Sequence, residues 1–280
     1  MKITLITDST CDITPEELSA KGVKFAPLKV LFPDGEYVDK IDLTNSEFYG
    51  KMKASETLPS TSQVNPNEFH ELFEAELKAG NHVIGIFLSS ELSGTYQSAV
   101  IAKEMASSDQ ITLIDARTTS FGLGLLLNAL IEYVEKGLSV IEIVKAMDEK
   151  IAKTQLYGML DTLENLKKGG RLSSSSAMIG KMLNLKPIIE TKDGLVNMAA
   201  KVRGSKKGMN WMLEQLLAEY PEGYVDVIGI AHANNLEKME EFRHLVLKSI
   251  KVGTIYESEI GSVVGTHTGE CAVGLVFFRK

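Results

Sequence analysis

The chain has 280 residues, a net charge of −7, 44% hydrophobic and 24% charged residues, and two cysteines. That length allows one large or two medium α/β domains with a real core, and the composition is that of an ordinary globular protein, neither disordered nor membrane-spanning. The acidic balance excludes wholesale nucleic-acid binding, and Cys11 and Cys271 are too few and too far apart for a disulfide scaffold or a paired-cysteine metal site.

Taken in chain order, Ile3 to Thr7 is a β-branched run that stops at Asp8-Ser9-Thr10. No basic region, long apolar core and small-residue cleavage site open the sequence, so a cytoplasmic protein is expected. His82 to Leu88 reads as a buried strand running into Ser89-Ser90-Glu91-Leu92-Ser93-Gly94-Thr95 and then a helix from Tyr96 to Met105. Ile111 to Ile114 is a further strand, followed by Asp115-Ala116-Arg117 and an apolar helical stretch from Gly122 to Val134. Apolar Ile141, Val144, Met147 and Ile151 mark an amphipathic helix over Val140 to Ala152. Strand, polar turn and helix in alternation predict an α/β fold with a mainly parallel sheet covered by helices on both faces, whose ligands gather at the carboxyl ends of the strands.

A boundary is expected after this helix, giving an N-terminal α/β domain over 1–153 and a smaller C-terminal α/β domain over 154–280. The second has strands predicted at Gln155 to Leu160, Pro187 to Glu190, Leu195 to Ala200, Val225 to Ala231, Gly253 to Glu257 and Ala272 to Phe278. Helices are predicted over Ser205 to Tyr220 and Asn235 to Leu247, with Ser205 and Asn235 as N-caps. Between Asn165 and Gly208, ten basic residues face two acidic ones, a local charge of +8 that leaves −15 on the rest of the chain. Such a stretch is either a solvated face or a contact for an anion, an anionic headgroup or an acidic partner.

Phosphate-loop, dinucleotide-turn, zinc-protease and nucleophile-elbow motifs are absent. Hydroxyl residues instead crowd the turns: Ser9-Thr10, Ser60-Thr61-Ser62, Ser89-Ser90, Ser93-Gly94-Thr95, Ser173 to Ser176 and Thr266-His267-Thr268. Taken alone, a residue such as Ser93 or Thr61 is more often a local cap. Together they favour an anion site, because hydroxyls donate to an oxyanion and a helix start adds free N–H groups. Among the five histidines, His267 stands out, since Gly265 and Gly269 would let the backbone bend and the ring project; His232, just after a strand, is second. Asp8, Asp12 and Asp115 sit at turns where a carboxylate commonly bonds the local backbone, and no metal site is expected.

Five strings in order, Asp8-Ser-Thr-Cys-Asp12, Pro59-Ser-Thr-Ser-Gln63, Ser89-Ser-Glu-Leu-Ser-Gly-Thr-Tyr96, Leu163 to Ser173 with its Lys-Lys-Gly-Gly-Arg core, and Gly265-Thr-His-Thr-Gly269, resemble the DegV family over the whole chain. The resemblance implies a two-domain α/β protein that binds one long-chain fatty acid at or near the domain interface. It further implies the substrate-presenting, non-enzymatic subunit of a bacterial fatty-acid kinase in phospholipid metabolism, whose separate ATP-binding subunit phosphorylates the carboxylate to an acyl phosphate. Carried over by motif, the carboxylate ligands fall on Thr61, Ser93 and His267, supported by Ser62, Gly94, Arg171 and Thr266, with no cofactor or metal. The sequence departs from the family pattern after His267, where Gly269-Glu270-Cys271 replaces Gly-Pro-Gly and leaves the geometry of that loop open.

The chemistry agrees with this. Each tail methylene removed from water is worth about 0.8 kcal/mol, while the carboxylate needs donors to replace its hydration. The basic segment would dock the kinase, lean transiently on an anionic membrane surface, or steady a transferred phosphate. Two other readings stand beside it: a serine esterase or acyl-transferase with Ser93 as nucleophile, His267 as base and Asp115 or Asp8 as orienter, and a binding protein for another small carboxylic acid.

Overall fold

The structure, a computed structural model, describes residues 2–173 and 185–280; Ser174 to Ser176, Met178-Ile179 and Lys181 of the expected polar and basic runs lie outside the described residues. The first part of the chain forms β1 (Ile3–Asp8), a short 3-10 helix (Ser9–Cys11), α1 (Pro15–Ala20), β2 (Val23–Ala26), β3 (Lys29–Phe32), β4 (Gly35–Val38), α2 (Asn45–Ala54) and β5 (Ser60–Ser62). Next come α3 (Pro66–Lys78), β6 (His82–Phe87), α4 (Thr95–Ala106), β7 (Ile111–Asp115), α5 (Phe121–Glu135) and α6 (Val140–Lys153). The second part adds β8 (Thr154–Met159), α7 (Glu164–Lys168), β9 (Leu185–Lys192), β10 (Leu195–Arg203) and α8 (Ser205–Glu219). It ends with β11 (Tyr224–His232), α9 (Leu236–Ser249), β12 (Lys251–Glu259), α10 (Ser262–Thr268) and β13 (Val273–Phe278).

A parallel sheet of order β2-β1-β6-β7 forms the N-terminal half, and a mixed sheet of order β10-β9-β8-β13-β11-β12 the C-terminal half. Every residue of β6 is buried, as a central parallel strand covered on both faces must be. Four helices open on reciprocal caps, Thr14 with Glu17, Thr44 with Glu47, Asn65 with Glu68 and Ser139 with Glu142, which satisfy orphan N–H groups and fix where each helix begins.

Helix α5 joins the halves. Its run Phe121-Gly-Leu-Gly-Leu-Leu-Leu-Asn128 is buried throughout, and the helix contacts β1 and β6 on one side and β8, β11 and β13 on the other. A helix apolar all round belongs inside, and this one is the layer between two sheets. A second apolar cluster, with Met212, Leu216, Phe242 and Val246, lies where α8 and α9 cover the six-stranded sheet.

The structure departs from the sequence reading at three places. Pro59 to Gln63 was expected as a turn, but Ser60–Ser62 is β5, paired antiparallel to β3 in a three-stranded sheet β4-β3-β5 that the sequence did not announce. These strands are three or four residues long, too short for a clear alternation. Gly265 to Gly269 is not a bent loop: Gly265 lies inside α10, and only Gly269, at φ 76°, turns the chain out of it. Finally, Gly204 rather than Ser205 caps α8, whereas Asn235 caps α9 as expected, accepting from the Lys238 N–H at 3.1 Å.

Candidate functional site

A cavity of about 280 Å³ lies between the two sheets at the carboxyl ends of β6 and β7. Its walls are mostly apolar and come from both halves of the chain: Leu28, Leu88, Leu92 and Phe121 from the first, Leu156, Leu160, Ile189, Val196, Val263 and Val273 from the second. Thr61, Ser62, Ser93, Gly94, Arg171 and His267 also line it, so six of the seven residues singled out in the sequence face one space. Thr266 is not among the lining residues; it is fully buried and its hydroxyl donates to the Ser262 carbonyl one turn back, at 2.9 Å.

Thr61 reaches the cavity from β5 and His267 from the last turn of α10, and their Oγ1 and Nε2 atoms lie 3.0 Å apart. The other ring nitrogen, Nδ1, is buried without a hydrogen-bond partner among the described residues. It rests against Gly169, where a Cβ atom would come within 2.3 Å of Nδ1, so the first glycine of the Gly-Gly-Arg string is required by the ring. Burial, reinforced by the Arg171 charge, depresses the His267 pKa from 6.5 to about 4, and the ring is neutral near pH 7. An orphaned acceptor is tolerated more readily than an orphaned N–H, which places the single proton on Nε2, donating to Thr61. The Thr61 hydroxyl hydrogen is then free to point into the cavity.

Ser93 is held in the turn before α4. Its Oγ accepts from the Thr95 N–H at 3.2 Å and lies 2.9 Å from Thr95 Oγ1. With the Thr95 hydroxyl donating to it, the Ser93 O–H remains available to the cavity. Gly94, the N-cap of α4, lies under the Gln63 side chain, whose Oε1 would be 2.0 Å from a Cβ; Gln63 Nε2 donates to Ser98 Oγ at 2.8 Å. Gln63 also lines the cavity, and only its place in the Ser-Thr-Ser-Gln string hinted at this.

Arg171 is tied to the backbone, Nε donating to the Leu92 carbonyl at 3.1 Å and Nη1 to the Gly169 carbonyl at 2.6 Å. These two bonds connect the Ser93 turn to the end of α7. A guanidinium carries five N–H donors, so three remain beyond these two bonds to described residues. The cavity end thus offers two hydroxyls, a neutral imidazole and part of a guanidinium.

The other residues weighed in the sequence are engaged elsewhere. Asp115 accepts from Ser90 and from the Arg117 N–H, and Asp8 from Thr10 and the Leu88 N–H. His232 Nδ1 accepts from the Asn235 N–H at 3.1 Å, a local turn contact. Ser93 bonds Thr95 while His267 bonds Thr61, so the described residues contain no Ser93–His267–carboxylate chain. Among them, no three His, Cys, Asp or Glu side chains gather as a metal cage, and no helix is long and apolar enough to cross a membrane. In the basic segment Lys167, Lys168, Lys201, Arg203, Lys206 and Lys207 are exposed, while Lys186 pairs with Asp161 at 2.7 Å.

Known proteins share this architecture. The sequence model of the DegV family, described as an uncharacterised protein family, matches residues 2–280. A DegV domain-containing protein of Caldanaerobacter subterraneus is 34% identical over 279 residues, 100% of this chain and 99% of that relative. Among solved structures, a DegV family protein from Thermus thermophilus, described by its fatty acid binding, matches with a TM-score of 0.93 at 29% identity over 100% of both chains. DegV from Bacillus subtilis, described as a fatty acid binding protein, gives 0.89 at 33% identity, again over 100% of both. A stearic acid-binding protein from Eubacterium ventriosum gives 0.90 at 26% identity over 99% of this chain and 98% of that one.

Proposed function

The chain belongs to the DegV family, and we propose that it binds a long-chain fatty acid in the cavity between its two units, 1–153 and 154–280. The observation that carries this reading is the lining of one cavity, in which mainly apolar walls from both units meet Thr61, Ser93, Arg171 and His267, four of its ten polar lining residues. The tail takes the apolar walls. The carboxylate takes the Thr61 and Ser93 hydroxyls, with His267 ordering Thr61 and Arg171 supplying positive charge, and Ser62 and Gly94 form the adjoining rim. Solved relatives described as fatty acid or stearic acid binders support the choice of ligand.

In this reading the protein performs no bond chemistry. A carboxylate held by hydroxyls, without a bidentate arginine clamp, keeps a lone pair available. The protein would present it to a separate ATP-dependent kinase, where a carboxylate oxygen bonds to the γ-phosphorus as the bond to ADP breaks, giving an acyl phosphate. The exposed lysines and arginines of α7, β10 and α8 would dock that kinase or rest on an anionic membrane surface during lipid exchange. The protein would act in the cytoplasm, in phospholipid metabolism, with no cofactor.

The test is chemical. Protein purified without detergent, denatured and extracted into organic solvent should release one long-chain fatty acid per chain by mass spectrometry. A polar metabolite in its place would overturn the reading. Reversing Lys168, Arg203, Lys206 and Lys207 to Glu should leave that lipid bound while weakening turnover with the kinase or binding to anionic vesicles; unchanged values for both would remove the docking role.

A further inference from the structure

Helix α10 carries His267, yet it has only seven residues, Ser262–Thr268, about two turns. An isolated helix of that length has no stability of its own, so its position must come from tertiary contacts. It packs against α2, β3 and β5 from the other half of the chain and against α7 from its own, and the hydrogen bonds at its start come from the other half. The Gly261 N–H donates to Asp12 Oδ1 at 2.9 Å, the Ser262 hydroxyl to Asp39 Oδ1 at 2.6 Å, and the Tyr49 hydroxyl to the Ile260 carbonyl at 2.9 Å. Asp12, Asp39 and Ser262 are all buried.

The Asp12 carboxylate is itself fixed, accepting from the Ser120 hydroxyl. Asp39 is held through its backbone, its N–H donating to the Leu28 carbonyl at 2.9 Å, while its Oδ2 is buried with no hydrogen-bond partner among the described residues. The charges around them come from several elements: Lys40, whose Nζ donates to the Ile13 carbonyl at 2.7 Å, attracts both, while each carboxylate repels the other. Glu259, which accepts from Asn45 Nδ2 at 3.2 Å, and Glu270 add negative charge near Tyr49. Negative charge at a helix start is favourable, which explains how an anchor of two buried acids can be retained. The helix also packs closely against α2, since a Cβ on Gly265 would lie 2.7 Å from the Tyr49 hydroxyl and 2.9 Å from Phe48.

We infer that Asp12 and Asp39 are positioning residues for the carboxylate site, setting through α10 the depth and angle at which His267 meets Thr61. The inference rests on the fatty-acid reading above. It gives the second aspartate of Asp8-Ser-Thr-Cys-Asp12 a role that neither the cavity lining nor local capping supplies.

The test compares a fatty acid with the fatty alcohol of the same chain length, which shares the tail and lacks the carboxylate. Ser262→Ala removes the donor to Asp39 and should weaken acid binding by about tenfold while leaving alcohol binding within about twofold; Ser262→Thr should restore it. Asp12→Ala should show the same split, and Asp12→Asn, which keeps an acceptor for the Gly261 N–H, should largely avoid it. Equal losses for acid and alcohol, or no loss for either, would overturn the positioning role. His267→Ala is the reference: if it leaves the preference for acid intact, the carboxylate site itself is misassigned, whereas loss with His267→Ala and none with Ser262→Ala or Asp12→Ala refutes only the anchor.

Discussion

His267 Nε2 and Thr61 Oγ1 meet at 3.0 Å across 206 residues of chain, one at the end of a helix between β12 and β13, the other on a three-residue strand of the first half. Neither residue can present a donor to a ligand in this way without the other. The neutral ring orders the hydroxyl, and the hydroxyl is left with one hydrogen to give.

Removing that hydroxyl while keeping the shape of the side chain isolates its contribution. Thr61→Val should weaken fatty-acid binding by about 1.5–3 kcal/mol, the worth of a hydrogen bond to a charged group. Binding of the corresponding alcohol should change far less. Isothermal titration with both ligands measures the difference; identical losses would mean that Thr61 shapes the cavity wall and does not meet the carboxylate.

The His267 ring should titrate near pH 4 in the folded protein, against 6.5 for an unperturbed histidine. Because the folded state resists protonation, the ring's contribution to stability is complete above about 6.5 and is lost as pH falls through that value toward 4. Arg171→Leu removes the secondary cause, so the pKa should rise while staying below 6.5, burial being the larger cause. The ring Cε1–H resonance followed by NMR against pH reports both, and an inflection near 6.5 in the wild-type protein would contradict the buried neutral ring.

Asp8 and Asp12 give the opposite slope. Burial pushes both carboxyls from 3.8 up to about 6, so the folded state holds protons that the unfolded chain has already released. Their contribution is fully present below 3.8 and is lost as pH rises through about 6. Asp12→Asn should therefore flatten the part of the urea-midpoint profile that falls between pH 4 and 6. A profile unaltered by the substitution would show that Asp12 is not titrating there.

Phe121, at the start of α5, is the one described residue lining both the main cavity and a second, smaller cavity bounded by Glu17, Lys21, Asn128 and Tyr256. Its ring is the partition between them. Phe121→Leu should thin that partition and shift preference toward longer or bulkier tails, read from the lipids that co-purify. A full truncation to Ala would cost about 3–5 kcal/mol by cavity formation, so the milder substitution is the informative one.

Much of the fold could be read locally. The runs at β1, β6, β7 and β8 and the helices at α4, α5, α6 and α9 were visible because each has a β-branched run or a helical apolar period long enough to register. The sheet β4-β3-β5 was not, because its strands have too few residues to alternate, and with it went the fact that Thr61 sits on a strand. The helical setting of His267 was concealed by Gly265, which reads as a turn residue but is small because Tyr49 and Phe48 press against it.

The sequence by itself determined the α/β class and the family, and through the order of its five strings it put forward a set of hydroxyl, imidazole and guanidinium side chains for a carboxylate. Which of those side chains share a space was decided only by the tertiary structure. Thr61, Ser93, Arg171 and His267 converge on one cavity, whereas Thr266, next to His267, turns back to its own helix. The reason is geometric: successive helical residues point about 100° apart, so neighbours in sequence part company. Residues some 200 positions apart meet only because α5 brings two sheets together and because two buried aspartates hold the short helix that bears the histidine.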